Sequence, residues 1–467
     1  MRDNHCSSPA ALEAMNNFRT INRDTGFLLP PSVDEWLPQR HLARFVVEVI
    51  DGLDLSELVK AYRGSGSASY HPAMLLGLLV YGYATKVFSS RAIERATYDS
   101  VAFRYIAGNE HPDHDTVAAF RKRFLGQIES LFVEVLKLAH TMGMLKLGTV
   151  AIDGTKVHAN ASRHSALSYG HAQKIEKQLK REVKQLLQLA EQADAGDIPD
   201  GMSIPEELER REARLAAIAA AKAKLEARAD ERLAREQEEH QAKLAIRAER
   251  EKLTGKKPGG RPPEPPTGGV RESDQINLTD EDSRIMKVAG GGFDQCYNAQ
   301  AVVATGSLLV VSTGVTQAGN DKQQLAPLLD KLKALPKQLG RSRRMLGDNG
   351  YFSQANVERC AAAKIEPLLA MGRTHHHPTW KQRFAAGPRS LPASATPLHR
   401  MAHRLKTPAG RKLYGLRKQT PEPVFGIIKS VMGYRQCLLR GLKNVRGEWN
   451  LVTLSWNIKR MFALQCC

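Results

Sequence analysis

The stretch TVAIDGTKVHANASRH, residues 149–164, joins an apolar run to a carboxylate and then to a polar segment. The apolar part predicts a buried strand over residues 148–153 that ends on Asp153, with Gly154 directly after it. A second apolar run ends in the same way on Asp348, in RRMLGDNGYF. Ligands of α/β sheets bind beyond the carboxyl ends of strands, so two acids placed in this way can converge on one site. Each stretch taken alone is equally consistent with a simple turn.

The charge of the chain limits the class of partner. The 467 residues have a formal net charge of +19, and 42% of them are hydrophobic, which is enough for roughly two to four domains with cores of their own. Residues 371–467 contain 18 Lys and Arg against only Glu422 and Glu448, a balance of +16. An excess of this size favours a polyanionic partner, either nucleic acid or an acidic membrane surface.

Several classes of protein are disfavoured by what the sequence lacks. The most apolar window, which begins at Pro72, is too short to span a membrane, and the N-terminus has no signal pattern. The six cysteines include no C-x-x-C pair, so neither a disulfide framework nor a zinc site is expected. AGGGF around Gly290 has no phosphate-binding spacing, so no nucleotide cofactor is expected. These features favour a cytoplasmic protein.

The N-terminal part is predicted to be a helical domain over residues 1–145, and it is a candidate for binding DNA. Apolar residues recur there at intervals of three and four, the period of an amphipathic helix. In PDHDTVAAFRKRF the N-cap is predicted to be Asp115 or Thr116, with the basic run at 121–123 on the exposed side. That run is interpreted either as a DNA contact or as the solvated face of a packing helix.

Residues 166–272 differ in composition from their surroundings and are predicted to be an insertion. The first part is rich in Ala, Glu, Lys, Arg and Leu with apolar residues at helical spacing, and ADAGDIPDGMSIP divides it into two helices. Such a pair predicts an antiparallel, coiled-coil-like arm. The following GKKPGGRPPEPPTGGV has the Pro and Gly content of a linker without helix or sheet.

Removal of the insertion leaves the element order of an α/β protein. A first strand within 146–165 is followed, in residues 273–467, by a hairpin in CYNAQAVVATGSLLVVSTGVTQ. A helix, a strand, a helix capped by Ser353 and a further strand come next. This order predicts a sheet with antiparallel and parallel portions.

A third acid lies in the basic C-terminal region. In QTPEPVFGIIK, Thr420 and Pro421 are predicted to be the N-cap and the first helical residue. Glu422 then falls in the first turn, with Lys429 two turns along the same face. As a purely structural residue, Glu422 would complement the helix N-terminus. Three converging carboxylates are also what two Mg²⁺ ions need in order to cleave a phosphodiester, with basic residues holding the phosphates.

The ordered motifs AIDGTK, NAQAVV, LGDNGYF and YGLRKQTPEPVFGIIK, followed by RGL and EW, resemble the DDE transposases of bacterial insertion sequences. The resemblance is to the branch with a Tyr-Arg-Glu-Lys signature, and NLTDEDSRIMK and the long insertion are most similar to the eleven-eighty-two group. It runs from about residue 30 to 460 and implies an RNase H-like catalytic core behind the helical N-terminal domain. It also implies that Asp153, Asp348 and Glu422 are the catalytic, metal-binding triad, with Mg²⁺ as the cofactor and Mn²⁺ able to substitute.

The same resemblance predicts residues that contact DNA at the element ends. Tyr414, Arg417 and Lys429 match the remaining signature positions. Four residues separate Arg417 from the glutamate where the signature has three, so Arg411 or Lys418 stays an alternative to Arg417. Lys156, three residues after the first acid, is predicted to lie near the DNA backbone.

The function implied is that of a transposase that binds the ends of its element, cuts there and joins the freed 3′-hydroxyls to target DNA. Both steps are displacements at phosphorus, so one two-metal site can perform them. Handling two ends implies at least a homodimer in the DNA complex, with the helical arm as a candidate interface, in the bacterial cytoplasm next to the nucleoid. Two alternatives stay open: a nuclease of the same fold that only hydrolyses, and a catalytically inactive or repurposed DNA-binding protein.

Histidine and tryptophan residues in the C-terminal part are given structural interpretations. The consecutive histidines of GRTHHHPTW, residues 375–377, point in different directions and cannot all bind one ion, so they predict a surface loop. Trp380 beside them is a candidate for DNA contact. Trp449 and Trp456 have the spacing of a buried helix and are predicted to lie in the core.

Overall fold

The computed structural model describes residues 32–62, 69–192, 203–255, 259–372, 379–380, 388, 390–392 and 394–465. A six-stranded sheet forms its centre, and a separate pair of short strands lies at the base of the insertion. The sheet strands are β1 Leu147–His158, β4 Arg284–Lys287, β5 Phe293–Ala304, β6 Val310–Thr316, β7 Gly340–Gly347 and β8 Glu366–Leu369, and the separate pair is β2 Ala166–Ser168 and β3 Gln275–Asn277.

Helices account for most of the remaining described residues. In chain order they are α1 Val33–Trp36, α2 Leu42–Asp51, α3 Ser56–Lys60, α4 Pro72–Ala84, α5 Ser90–Asp99, α6 Val101–Ala107, α7 His114–Phe124, α8 Ile128–Thr141, α9 Tyr169–Gln192, α10 Ile204–Thr254, α11 Leu325–Ala334, α12 Gln354–Ala362, α13 Pro397–Lys406, α14 Pro408–Gly415, α15 Pro421–Gly426 and α16 Leu442–Gln465. The predicted α/β class and the helical N-terminal region are confirmed.

The sheet is antiparallel on one side of β1 and parallel on the other. β1 pairs antiparallel with β5, which in turn pairs with β4 and β6. On its other side β1 pairs parallel with β7, and β7 pairs parallel with β8. The predicted order of hairpin, helix, strand, helix and strand is therefore correct, including the cap of α12, where the Ser353 hydroxyl accepts the N–H of Asn356. The glycines at 290–292 all have positive φ and form the turn from β4 to β5.

The end of the first strand was wrongly predicted. β1 continues beyond Asp153 to His158, because β5 offers it a pairing partner as far as Cys296. Its parallel pairing with β7 ends earlier, at Ala151 opposite Leu346. Asp153 thus lies just beyond the parallel part of the sheet but within the antiparallel part, and it is not at a strand tip.

Helix α16 is buried on most of its surface and joins the N-terminal helices to the sheet. It packs against α2, α4 and α8 on one side and β6 on the other, within one continuous apolar core. Trp449 and Trp456 are 1% and 3% exposed, which confirms their predicted place in the core. Each indole N–H donates to a backbone carbonyl of the hairpin, Trp449 to Gln300 and Trp456 to Leu308.

The acidic part of NLTDEDSRIMK stabilises the start of α16. The Asp282 carboxylate accepts the backbone N–H of Leu442 at 2.9 Å, where a negative charge complements the helix N-terminus. Asp280 accepts the backbone N–H of Gly441 and the hydroxyl of Tyr297. This motif therefore has a structural role in holding the helix against β5.

Two details of α7 differ from the prediction. Its N-cap is Asp113, whose carboxylate accepts the backbone N–H of Thr116 at 2.7 Å. Arg121, predicted to be exposed, is 9% exposed and donates to the carbonyl of Phe88 at 3.1 Å. Its guanidinium satisfies buried acceptors between helices, so it cannot belong to a solvated face or a DNA contact.

The predicted helical arm is present and has a small core of its own. Glu176 pairs with Lys222 and Glu182 with Arg211, so α9 and α10 run antiparallel. Their apolar stripes pack on each other and on the β2–β3 pair, around Leu179, Ile218 and Leu225 among others. The apolar stripe is buried within the arm itself. A dimer interface on the arm therefore stays a prediction, and it would have to use another face of the two helices. The described linker residues 259–272 form no helix or strand and follow α10 through contacts such as that of His240 with Pro263.

Two further predictions concern the surface. The histidines at 375–377 lie outside the described residues. Trp380 is 71% exposed. Across the described ranges, no helix combines the length and the apolar composition that crossing a membrane requires.

Candidate active site

The register of the two parallel strands brings Asp153 and Asp348 side by side. Ala151 and Leu346 are paired, and each aspartate follows its paired residue by two positions. Neighbouring strands lie about 4.8 Å apart. Each carboxylate is oriented locally, since Oδ1 of Asp153 accepts the N–H of Gly154 at 2.9 Å and Oδ1 of Asp348 accepts that of Gly350 at 2.8 Å. The predicted convergence of these two acids is therefore seen in the structure.

Arg417 connects the third predicted acid to this pair. Its Nη1 lies 3.7 Å from Oδ2 of Asp153, and its Nη2 lies 3.1 Å from Oε1 of Glu422. The Arg417 side chain is 13% exposed, whereas that of Glu422 is 50% exposed. Three basic residues were candidates for the arginine of the signature. Arg411 and Lys418 are exposed, and Arg417 is the one that contacts the acids.

The environment of Asp153 disfavours its negative charge. Burial raises the pKa of this carboxyl to about 7, and the nearby charges of Asp348 and Asp321 act in the same direction. The N–H of Gly154 and the guanidinium of Arg417 lower the pKa but do not outweigh the burial. A carboxylate in this setting gains from a further cation, which is the property expected of a metal ligand.

Tyr414 packs between the sheet and the site. Its ring contacts the apolar cluster of Ala151, Leu346 and Leu368 on the face of the sheet that α13 and α14 cover. Burial raises the pKa of its hydroxyl, which lies close enough to Arg417 for that charge to oppose the shift. Tyr414 thus supports the position of Arg417.

The two predicted lysines are fixed by backbone carbonyls of the described structure. The Lys429 ammonium donates to the carbonyl of Lys156 at 2.6 Å, and the Lys156 ammonium donates to that of Gly319 at 3.0 Å. Burial lowers the pKa of both side chains. Both line the continuation of β1 next to Asp153.

The segment that carries Glu422 and Lys429 changes its helical form between them. Glu422 lies in the first turn of α15 after Pro421, as predicted, but the Thr420 hydroxyl donates back to the carbonyl of Leu416 and does not cap the helix. Residues Ile427–Val431 form a π-helix. Such wide turns are frequent at functional sites, and here the turn carries Lys429 to β1.

Sequence reasoning missed Asp321, a fourth acid at the site. It lies in the loop between β6 and α11, and its Oδ1 accepts the side-chain amides of Asn298 and Gln300, both at 2.7 Å. These amides come from β5, opposite Lys156 and Gly154 of β1. NAQAVV was recognised as a motif, and its alternate polar residues are the signal that could have pointed to a partner for them.

Gly154 follows Asp153 directly and Gly350 follows Asp348 by two residues, and a larger residue at either position would enter this cluster. Neither Gly154 nor Gly350 has a positive φ, so backbone conformation does not require glycine at either position. A Cβ on Gly154 would lie 2.2 Å from Nε2 of Gln300 and 2.8 Å from Oδ1 of Asp321. The interpretation of Asp153-Gly154 as a turn is therefore wrong, whereas Asp348-Asn349-Gly350 does form a turn, in which the Asp348 carbonyl accepts the N–H of Tyr351 at 3.3 Å.

We expect Gly154→Ala to destabilise the protein by about 1–3 kcal/mol, because the new methyl group displaces Gln300 from Asp321. The matched control is Gly148→Ala in the same strand, where no atom would lie within 4 Å of the new Cβ. That change should be neutral or slightly stabilising. Urea unfolding measures both, and equal midpoints for the two variants would disprove the crowding.

The donors present suit a hard divalent cation. Asp153, Asp348 and Asp321 offer oxygen ligands, and oxygen is what Mg²⁺ prefers. Within the part of the chain that is described, no three His, Cys, Asp or Glu side chains already converge closely enough to hold an ion. Glu422 in particular faces Arg417, so its side chain must turn before it can join the two aspartates. A cavity of about 920 Å³ lies between α10 and the loop that carries Asp321.

Two family models match the chain. Residues 31–123 match a model described as Transposase domain (DUF772), and residues 389–462 match a model described as Transposase DDE domain. The second match includes Arg417 and Glu422, whereas Asp153 and Asp348 lie outside both. No curated protein and no solved structure matches the chain.

The two matches support a DDE transposase and indicate the transposase of an insertion element. A protein of this class binds DNA, and its DDE domain suggests a metal-dependent enzyme that cleaves DNA. Such enzymes generally use divalent metal ions.

Proposed function

We propose that the chain is the transposase of a bacterial insertion sequence of the Tyr-Arg-Glu-Lys branch, most similar to the eleven-eighty-two group. In this proposal it binds the ends of its element, cleaves them and joins the 3′-hydroxyls to target DNA. The observation that carries the proposal is the bridge from Asp153 through Arg417 to Glu422, beside Asp348. It links acids from the sheet and from the segment that matches the DDE domain model.

The sheet supports an RNase H-like core. On one side of β1 the sheet is an antiparallel hairpin, and on the other side it consists of parallel strands connected through helices. Asp153 and Asp348 lie where the pairing changes from parallel to antiparallel. Sites of α/β proteins form at such positions. The N-terminal helices share the same apolar core, and their part in reading the DNA ends stays a prediction.

In the proposed mechanism Asp153, Asp348 and Glu422 would hold two Mg²⁺ ions, or Mn²⁺ in their place. Bound ions would activate the attacking oxygen and stabilise the leaving oxygen of an in-line displacement. Arg417 keeps Glu422 close to Asp153, and turning of the glutamate releases the guanidinium toward a phosphate. Lys156 and Lys429 add positive charge along β1 for the DNA backbone. A homodimer would bring two ends together, in the cytoplasm next to the nucleoid.

Incubation of the purified chain with DNA that carries the native flanks of its gene tests this function. We expect cuts at the element ends that require Mg²⁺, are blocked by EDTA, and yield products joined to a target plasmid. Cuts without joining would assign a hydrolytic nuclease. Tight binding without a metal-dependent cut would assign a DNA-binding protein without catalysis.

A further inference from the structure

Two arginine side chains converge where the helical arm meets the sheet. Nη2 of Arg228, on α10, and Nη1 of Arg284, in β4, donate to the same acceptor, the backbone carbonyl of Glu281, each at 2.8 Å. The two guanidiniums therefore lie side by side. Because a carbonyl oxygen carries no net charge, this shared acceptor does not cancel the repulsion between them.

The acids next to this arginine pair are bound to other groups. The Glu281 carboxylate pairs with the ammonium of Lys224 at 2.7 Å, and the Asp282 carboxylate accepts a backbone N–H at the start of α16. Across the described ranges, no carboxylate forms an ion pair with Arg228 or with Arg284, whose guanidiniums donate to backbone carbonyls instead. The pair thus places two positive charges together without an anion between them.

Arg228 also has a donor that is not used. Its Nη1 is buried and has no hydrogen-bond partner in the part of the chain that is described. A buried donor without an acceptor is costly, so the side chain gains a hydrogen bond whenever it turns toward an acceptor nearby. Burial, and after it the charge of Arg228, lowers the pKa of Arg284, against the opposing charges of Asp282 and Asp280. Both arginines would therefore be stabilised by a bound anion.

The cavity of about 920 Å³ offers room for such an anion, and both arginines line it. Its volume is in the range of ligand pockets, about 300–1,000 Å³. Strands β4 to β6 and the loop after them contribute neutral and basic side chains to the lining, among them Arg284, Gln295, Gln317 and Asn320. The acids of the lining are either paired, as Asp274 is with Arg232, or follow Arg228 along α10: Glu231, Glu236 and Glu239.

One loop separates this cavity from the candidate active site. Between β6 and α11, Gln317 and Asn320 line the cavity, whereas the carbonyl of Gly319 accepts the ammonium of Lys156. Lys156 lies on β1 three residues after Asp153 and is predicted to lie near the DNA backbone. A DNA strand that passes Lys156 therefore has only this loop to cross before it reaches the arginine pair.

We propose that Arg228 and Arg284 form a binding site for a phosphate group of the DNA backbone at the junction of the arm and the sheet. The inference rests on the proposed function and gives the helical insertion a part in holding DNA next to the active site. A phosphate has several acceptor oxygens and a negative charge, so it can accept from both guanidiniums and cancel their repulsion. Because one arginine comes from the arm and the other from the sheet, the bound strand would contact both.

The test is the affinity of the purified full chain for a DNA duplex with the native flanks of its gene, measured by fluorescence anisotropy in EDTA at several salt concentrations. We expect Arg228→Gln and Arg284→Gln each to weaken binding about fivefold. The double variant should lower the slope of log affinity against log salt by about 0.9, the value for one phosphate contact. Arg210→Gln removes the same charge from an exposed position near the start of α10 and should bind as the wild type does. An equal loss in this control would overturn the site, because it would show an effect of net charge alone.

Urea unfolding without DNA checks that the variants fold, and neither should have a lower midpoint than the wild type. If Arg228→Gln has, Arg228→Lys replaces it, because lysine keeps the charge but loses the planar fork, and it should weaken DNA binding as well. Inorganic phosphate distinguishes the source of the anion. If it raises the urea midpoint of the wild type while both glutamine variants bind the duplex normally, the site takes a free anion and its role in DNA binding is overturned.

The outcome for this site is separate from that for the proposed function. Wild-type affinity for the duplex in Arg228→Gln, in Arg284→Gln and in the double variant would overturn the phosphate site and leave the proposed function intact. A wild-type chain that does not bind the flank duplex would overturn both.

Discussion

Asp153→Asn is expected to abolish DNA cleavage and at the same time to make the metal-free protein more stable. Cleavage should fall by at least about 10³-fold, since a neutral amide cannot replace a charged metal ligand. The free energy of unfolding in EDTA at pH 8 should rise by on the order of 2–4 kcal/mol, because the variant no longer buries a charge that the site disfavours. Few inactivating changes stabilise a protein, so this combination is diagnostic of a functional site.

The pH dependence of that difference follows from the raised pKa. Burial moves the pKa of Asp153 in the folded state from 3.8 to about 7, so between these values the unfolded chain releases a proton that the folded protein keeps. The wild type therefore loses stability as the pH rises from about 4 to 7, and the full cost remains above that window. Urea titrations at several pH values should show a gain for Asp153→Asn above pH 7 that disappears near pH 4. A pH-independent difference in stability between Asp153→Asn and the wild type would contradict the raised pKa of Asp153. The control variant Asp330→Asn, whose original side chain is on the exposed side of α11, should show no such difference.

Glu448→Ala is expected to cause the largest loss of stability, about 3–5 kcal/mol. The carboxylate is 0% exposed and accepts the hydroxyl of Tyr83 at 2.9 Å. It also accepts the backbone N–H groups of Leu438 and Leu439 at 3.1 and 3.0 Å. Alanine leaves these donors unsatisfied in the core, at the junction of the N-terminal helices and the sheet domain.

A graded series separates this network from general packing. Glu448→Gln preserves the shape and most of the hydrogen bonds, so it should cost only about 1–2 kcal/mol. The comparison residue is Glu57, whose side chain is 76% exposed, and Glu57→Ala should stay within about 0.5 kcal/mol of the wild type. Urea unfolding of the three variants measures the series. A loss below 1 kcal/mol for Glu448→Ala would show that the network does not hold the two parts together.

The parts of the fold that the sequence predicted are those set by local pattern. The order of strands and helices, the arm of α9 and α10, and the position of Asp348 directly after β7 follow from hydrophobic periodicity and turn residues. The end of β1 was missed because it depends on β5, more than a hundred residues away, which extends the pairing beyond Asp153. Strand ends of this kind are tertiary properties.

The candidate site was predicted only in part, for the same reason. Asp153, Glu422 and Arg417 could be found from motifs and their order, although the spacing alone left Arg411 and Lys418 as equal candidates. Asp321 has no local signal, since GNDKQQL resembles any loop before a helix, and only its contact with amides of another strand marks it. The burial of Arg121 was likewise hidden, because its acceptors, the Phe88 carbonyl and the Tyr83 hydroxyl, lie more than thirty residues earlier in the chain.

The most direct test of the central claim, that these carboxylates hold the catalytic metal, is cleavage of the native-flank DNA by Asp348→Cys in Mg²⁺ and in Mn²⁺. A thiolate is a poor ligand for the hard Mg²⁺ ion and a better one for a transition metal. We predict that Asp348→Cys is inactive in Mg²⁺ and regains cleavage at least tenfold in Mn²⁺, whereas Asp348→Ala stays inactive in both. Cleavage by both variants at the wild-type rate in Mg²⁺ would contradict the account.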